Sequence, residues 1–448
     1  MDVALSSTEL RGAHVGLLAV DTSGATVYAR DPDDDFVPAS TFKLIVGSAA
    51  LSKLGPAFTF GTSVDAIGPV TSGTLNGDLV LRGGGDAQLS VADLQSAATA
   101  VRAAGIVHVT GDVVADASYF SAPRFPGGWM IDDLPYEYAA VPSALSLERN
   151  IAHVRVRPGS ATGDPAQLSI APAVNAFTIV NRAVTGARGS DDTTDLDRPW
   201  NVPSEIDVTG SYPLGAPLSD DLEPAVPDPP SYAAAVFRDA LVARGIAIDG
   251  AVRFTSAPGG THLWQHRSEP LRTMLGDFWR PSVNLIGEQL LEALGVASPA
   301  TAHLDDRAAG IAVETAWLRS IGIDPRTLTI ADGSGLSAYD RITPRALVAI
   351  LSAGWHGRYR TTILAALPVS GRSGTLVNDF TSAPLAGAIV AKTGTTNHAR
   401  LLAGYARRPD GSTTIFALMI ENWMDDRPDA NALLNRVRQT VLRALTGG

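Results

Sequence analysis

The chain of 448 residues has no cysteine, which excludes disulfides, thiol catalysis and cysteine-ligated metals but leaves the compartment open. No uninterrupted apolar run reaches the ~18 residues that a membrane-spanning helix needs, so no transmembrane segment is expected. Basic residues are outnumbered, 35 to 46, for a net charge of −11. That balance argues against nucleic-acid partners and against a polybasic membrane contact. Histidine is sparse as well. Of the eight, only His262 and His266 lie four apart, and the Leu-Trp-Gln between them lacks the Glu of a metal-hydrolase pattern. Neither a metal nor a cofactor is expected. Met1-Asp2-Val3-Ala4 shows no basic n-region and no apolar h-region. The expectation is either a cytoplasmic chain or a mature form with its signal removed and a start Met added. Hydrophobic residues, at 45%, are ample for several cores, and the length suggests two to four domains.

What is present centres on Pro38-Ala39-Ser40-Thr41-Phe42-Lys43-Leu44. The stretch ends an acidic, proline-punctuated loop and opens an apolar run of helical spacing, Phe42–Leu54, which Gly55-Pro56 stops. Ser40 is therefore expected at or near a helix N-terminus, with Lys43 one turn on and on the same face. An amine is then within reach of the hydroxyl, and helix-terminal N–H groups face any charge developing on an attacked carbonyl. On its own the pattern is weak, because serine is also a common helix cap. Two more motifs follow in order: Ser282-Val283-Asn284 after the aromatic pair Phe278-Trp279, and Lys392-Thr393-Gly394-Thr395 at the end of a β-rich run.

Around the motifs the chain reads as mixed α and β. His14–Val20 and Ala25–Ala29 form an expected hairpin. From about Phe58 to Arg267 come short β-like runs, with one helical segment at Val91–Ala104 and a Pro/Asp-rich loop or linker at Pro213–Pro230. This block carries none of the three motifs yet separates Ser40 from Ser282, so it has to be an insertion whose ends lie close together. Helices are expected again at Leu285–Leu294, Arg307–Ile321, Thr343–Trp355 and Ala430–Leu445, and strands at Leu401–Arg407 and Thr413–Ile420.

Ser-x-x-Lys, Ser-x-Asn and Lys-Thr-Gly in this order resemble the penicillin-binding proteins and serine β-lactamases. The long insert, together with Leu81-Arg82-Gly83-Gly84-Gly85-Asp86, Asp332-Gly333-Ser334-Gly335-Leu336-Ser337 and Pro368-Val369-Ser370-Gly371, is similar to the class C low-molecular-mass penicillin-binding proteins. These are D-alanyl-D-alanine carboxypeptidases and endopeptidases of peptidase family S13. The resemblance implies an α/β (α+β) fold: a transpeptidase/β-lactamase-like catalytic domain with an antiparallel sheet flanked by helices, interrupted by a large β-rich insertion. It implies a catalytic domain of residues 1–58 and 268–448, an inserted domain II of 59–88 and 166–267, and a domain III of 89–165 nested in it. It also implies a periplasmic or extracellular location, peptidoglycan stem peptides as substrates and β-lactam antibiotics as covalent inhibitors.

In that reading Ser40 attacks the D-Ala–D-Ala carbonyl, and a neutral Lys43 takes its proton, with the nearby Lys392 cation helping to depress that amine's proton affinity. Ser282 relays the proton to the leaving amine and Asn284 holds the substrate amide. Lys392, Thr393, Gly394 and Thr395 receive the terminal carboxylate, and the N–H groups of Ser40 and Thr395 form an oxyanion hole. Asp133 and Tyr138 match positions where relatives bind the cationic end of the stem's diamino acid. Two positions depart from the pattern: Val283 within the second motif, and Ala338 where relatives often carry Arg, with Arg341 three residues on. A β-lactamase or esterase with the same Ser-Lys chemistry, and a catalytically silent peptidoglycan-binding protein, are the alternatives.

Overall fold

Strand β1 (His14–Asp21) has six consecutive buried residues, so both of its faces need cover. The computed structural model, which describes residues 1–173, 176–298, 301, 303–423 and 430–447, shows how each face is covered. β1 sits inside a five-stranded sheet with β2 (Thr26–Arg30) on one side. On the other lie β5 (Thr413–Glu421), β4 (Ala399–Arg407) and, at the edge, β3 (Ile389–Thr396). Every pairing is antiparallel, and β1 meets β5 in register from His14↔Glu421 to Asp21↔Thr414.

The period-two alternation of β1 decides which helix covers which face. Val15, Leu17 and Ala19 join Leu402, Leu418 and Ile420 under Leu434, Val437 and Val441 of the C-terminal helix Ala430–Thr446. Each such aliphatic side chain contributes about 1.5–3 kcal/mol when fully buried. The other face is covered by Pro344–His356, which packs on β1 and β5. That helix is started by Thr343, whose hydroxyl accepts the Ala346 N–H at 3.1 Å, with proline in the first turn.

Beyond this second layer lie α1 (Lys43–Lys53), α2 (Leu271–Trp279), α3 (Asn284–Val296) and α4 (Asp306–Ser320), with α1 against α3 and α3 against α4. Trp279 at the end of α2 is fully buried and donates its indole N–H to the Lys43 carbonyl at 3.0 Å. One close approach fixes α3 further. A Cβ on Gly287 would lie 2.6 Å from the Gly333 carbonyl oxygen, and one on Gly333 would lie 2.4 Å from that of Gly287. The helix backbone and the 332–337 turn therefore touch directly, which glycine alone allows.

The chain separates into two compact units, Met1–Phe58 with Pro126–Gly128 and Pro270–Gly448, and Thr59–Phe125 with Trp129–Glu269. The sheet and helices above belong to the first. In the second, Gly61–Ile67 pairs with Thr261–Arg267, so the two ends of the unit are neighbouring strands. They continue into a five-stranded sheet with Asp78–Gly83, Val113–Asp116 and Val252–Phe254. Two helices, Val91–Ala103 and Pro229–Ala243, pack together beside it.

That second helix differs from the expectation of a single helical segment. The Pro229-Pro230 pair reads as the end of a linker, but it occupies the first helical turn, where a missing N–H costs nothing. A smaller core gathers Val154, Val156, Ala166, Ile206, Val208 and Tyr212. Residues 89–165 supply both cores: Leu94, Val101, Leu145 and Ala152 the larger, Val154 and Val156 the smaller. Among the described residues no helix is long and apolar enough to cross a membrane.

The contact of Gly287 with Gly333 gives a direct test of this packing. Gly287→Ala is expected to destabilise the protein by about 1–3 kcal/mol, the usual cost of overpacking a closed core. The measurement is denaturant unfolding with unchanged m-value.

Candidate active site

Ser40 lies in the 3₁₀ turn Ala39–Phe42 that feeds α1, so the expected helix start is present with a tighter first turn. Its neighbour Ala39 has φ +44°, a left-handed conformation that costs energy for a residue with a Cβ. Such strain beside a reactive hydroxyl is typical of a functional turn. Lys43, wholly buried, directs its Nζ at three oxygens: Ser40 Oγ at 2.8 Å, Asn284 Oδ1 at 2.5 Å and the Ser334 carbonyl at 2.7 Å. A neutral amine has two N–H bonds and one lone pair. Asn284 Oδ1 and the Ser334 carbonyl are acceptors and take the two N–H groups. The lone pair is left for the Ser40 hydroxyl.

Burial is the main influence on that amine, and it brings Lys43 down to about 7 against the pull of Asp332, Glu288 and Asp340. Burial, rather than the Lys392 cation expected to help, is the first cause. Lys392 is itself wholly buried, and its proton affinity falls well below the ordinary lysine range, first through burial and then through Lys43. Its Nζ donates to Ser282 Oγ and to the Thr393 carbonyl, both at 2.9 Å. Ser282, two residues before α3, has φ +67°, a left-handed conformation that is costly for a residue with a Cβ.

The third motif forms the latter half of β3, at the end of the β-rich run as expected. Gly394 brings that edge strand against the Ser40 turn: a Cβ there would stand 2.9 Å from the Pro38 carbonyl and 3.2 Å from Thr41 Cγ2. Thr393 shares a 2.7 Å hydroxyl contact with Thr375, from the Gly374–Leu376 turn, and Thr395 is exposed further along the strand. Ser40, Lys43, Ser282, Asn284, Lys392, Thr393 and Gly394 thus come together in one unit, from segments that span most of the chain. Asp133 and Tyr138 belong to the other unit. There the Tyr138 hydroxyl donates to Asp133 Oδ1 at 3.1 Å, and its ring stacks on Tyr136. Burial raises the Asp133 carboxyl above its ordinary value.

Sequence reasoning passed over Glu288, Thr375 and the carbonyl of Ser334. Glu288 could have been found, since it follows Asn284 by four residues and shares its helix face. Ser334 contributes through its backbone, which no side-chain pattern reveals. Arg341 donates to the carbonyls of Ala338 and Asp340, at 2.9 and 2.6 Å.

Comparisons with known proteins give the family and the fold. The chain is 35% identical over 428 residues to a D-alanyl-D-alanine carboxypeptidase of Actinomadura sp. (strain R39), covering 92% of this chain and 78% of that one. Its fold matches the crystal structure of penicillin binding protein 4 from Haemophilus influenzae with a TM-score of 0.89 at 23% identity, covering 100% of this chain and 99% of the other. The same protein complexed with a β-lactam matches at 0.83 and 22% identity, with the same coverage. With its family model matched from residue 1 to residue 441, the chain belongs to the D-Ala-D-Ala carboxypeptidase 3 (S13) family.

Proposed function

We propose that this serine-type D-Ala-D-Ala carboxypeptidase works through an acyl-enzyme on Ser40, with Lys43 as the base. The observation that carries the assignment is the buried Lys43 nitrogen, with two N–H acceptors and the Ser40 hydroxyl around it. Ser40 Oγ attacks the penultimate D-Ala carbonyl of a peptidoglycan stem peptide as its proton passes to Lys43. The N–H groups of Ser40 and Thr395 receive the oxyanion. Collapse of the adduct breaks the C–N bond, and the proton held by Lys43 is relayed through Ser282 to the departing D-Ala amine, which leaves Lys43 neutral again. Water then attacks the ester as Lys43 takes its proton, and that proton returns to Ser40 Oγ as the acyl group leaves. β-Lactams enter by the same attack, their ring opening in place of peptide cleavage.

Lys392, Thr393 and Thr395 are assigned to the substrate's terminal carboxylate, with Gly394 keeping the strand close. The two depressed amines give this assignment a consequence. A carboxylate arriving beside Lys392 favours its charged form, and that cation then disfavours a proton on Lys43. Binding of the correct substrate would therefore keep the base free. Asp133 with Tyr138 is assigned to the ammonium end of the stem's diamino acid, supported by the family resemblance and by the carboxylate held beside an aromatic pair. The site of action is the cell envelope, periplasmic or extracellular, since that is where such substrates lie.

Penicillin is expected to add one covalent equivalent, mapped by peptide mass spectrometry to Ser40, and Ser40→Ala to take up none. Lys43→Ala should slow acylation by about 100-fold or more. Because the base must be neutral and titrates near 7, the second-order acylation rate should fall about tenfold per pH unit below 7 and level off above it. An adduct elsewhere, or a flat profile from pH 5 to 8, would overturn the assignment. Slow release of the label, against rapid turnover of a chromogenic cephalosporin, separates a carboxypeptidase from a β-lactamase.

Lys392→Ala should erase the preference for a D-Ala-terminated peptide over its amide; an unchanged preference would remove Lys392 from the carboxylate site. Asp133→Ala should spare acylation by simple penicillins. It should lower kcat/KM for a peptide with a free side-chain amine by roughly tenfold to a hundredfold relative to its acetylated form, the worth of one charge-assisted contact. Equal responses of the two peptides would retire that assignment.

A further inference from the structure

The turn Asp332–Ser337 is held by two buried carboxyl groups and presents the Ser334 carbonyl to Lys43. Both oxygens of Glu288 accept the Gly333 N–H, at 3.1 and 3.2 Å. Asp332 accepts the N–H groups of Ser334, Gly335 and Ser337, at 3.0, 2.6 and 2.7 Å. The Ser334 hydroxyl reaches the second Asp332 oxygen at 3.2 Å. Glu288 and Asp332 are each 0% exposed. What these bonds fix is the direction of the Ser334 carbonyl, which takes a hydrogen from Lys43 at 2.7 Å. The same helix face supplies the other acceptor, because Asn284 lies one turn before Glu288.

We propose that Glu288, together with Asp332, is a positioning residue for Lys43: the pair aims the Ser334 carbonyl so that the amine's lone pair is left to Ser40. The inference rests on the reading of Lys43 as the base. The role asks Glu288 for an acceptor facing the Gly333 N–H rather than for a charge: burial, and next Asp332, push its carboxyl up to about 8. The titratable groups facing Lys43 are Glu288 from α3, Asp332 and Asp340 from the turn region, and Lys392 from β3. Glu288 in turn feels Arg307 as well, while Glu314 on α4 adds a further buried carboxyl close to it. Asp340 is pushed up to about 11, mainly by burial and then by Asp332.

The sequence makes a direct experiment available, because its only lysines are Lys43, Lys53 and Lys392. Protein labelled with ¹³C in the lysine ε position gives three signals, assigned with Lys43→Ala and Lys392→Ala. Glu288→Gln keeps an acceptor for Gly333 and is expected to retain most of the penicillin acylation rate, with the Lys43 signal near its wild-type position. Glu288→Met removes the acceptor, and should displace the Lys43 signal and slow acylation by about tenfold or more across the whole profile. Glu288→Met acylating like wild type, or Glu288→Gln losing as much as Glu288→Met, would overturn the inference, whatever happens to stability. Failure of the underlying reading looks different: the wild-type protein would then take up no label on Ser40, while the lysine signals would still report whether Glu288 acts on Lys43.

Discussion

The catalytic unit depends on one buried amine and on two opposed influences upon it. Burial disfavours the proton on Lys43, and neighbouring carboxyl groups, Asp332 first, favour it. Burial prevails and leaves the amine at about 7. On the proposed reading of Lys43 as the base, its neutral form has both N–H groups tied to acceptors and one direction left for a proton from Ser40.

Placing carboxyl groups in a protein interior is costly, and backbone N–H groups offset part of that cost here. Asp332 gathers three N–H groups from its own turn, and Glu288 takes the fourth. The direct contact of Gly287 with Gly333 keeps that turn at the distance where Glu288 can reach it. Arg307 pairs with the next acid along, its guanidinium meeting Glu292 at 2.7 Å.

Much of this site was legible in the sequence. The Ser40–Lys43 spacing required a shared helical face, and the later motifs required an Asn and a second Lys to come from distant segments. Side-chain periodicity likewise gave the hairpin at His14–Ala29, the C-terminal strands and the final amphipathic helix. What escaped notice did so for physical reasons. The Ser334 carbonyl acts through backbone, Glu288 looks like any helix-surface acid until its burial is known, and the effect of Lys392 on Lys43 depends on how dry both are. In the insertion, Pro229-Pro230 was ambiguous because proline marks helix starts as readily as linkers. The segmentation inside 59–267 stayed obscure because its strands are short and its cores draw on residues far apart in sequence.

The order of elements along the chain has an entropic consequence for the site. Ser40 and Lys43 come from one end and Asn284 and Lys392 from the other, so the amine cannot be boxed in until both ends fold together. Joining them across an unstructured loop of about 200 residues would cost roughly 5 kcal/mol in chain entropy. The intervening residues avoid most of that cost by forming a unit of their own. Its first strand, Gly61–Ile67, pairs with its last, Thr261–Arg267. Phe60 and Ser268 exchange bonds at the base of that pair, with the Ser268 N–H donating to the Phe60 carbonyl at 3.0 Å and the Phe60 N–H to Ser268 Oγ at 2.9 Å. Just beyond, within the catalytic unit, the Leu271 N–H donates to the Phe58 carbonyl at 2.8 Å. Once the insertion has folded, the loop left to close is only a few residues long. The strand pair at its base therefore does more for the assembly of the site than its own hydrogen bonds would suggest, although no catalytic side chain lies on it.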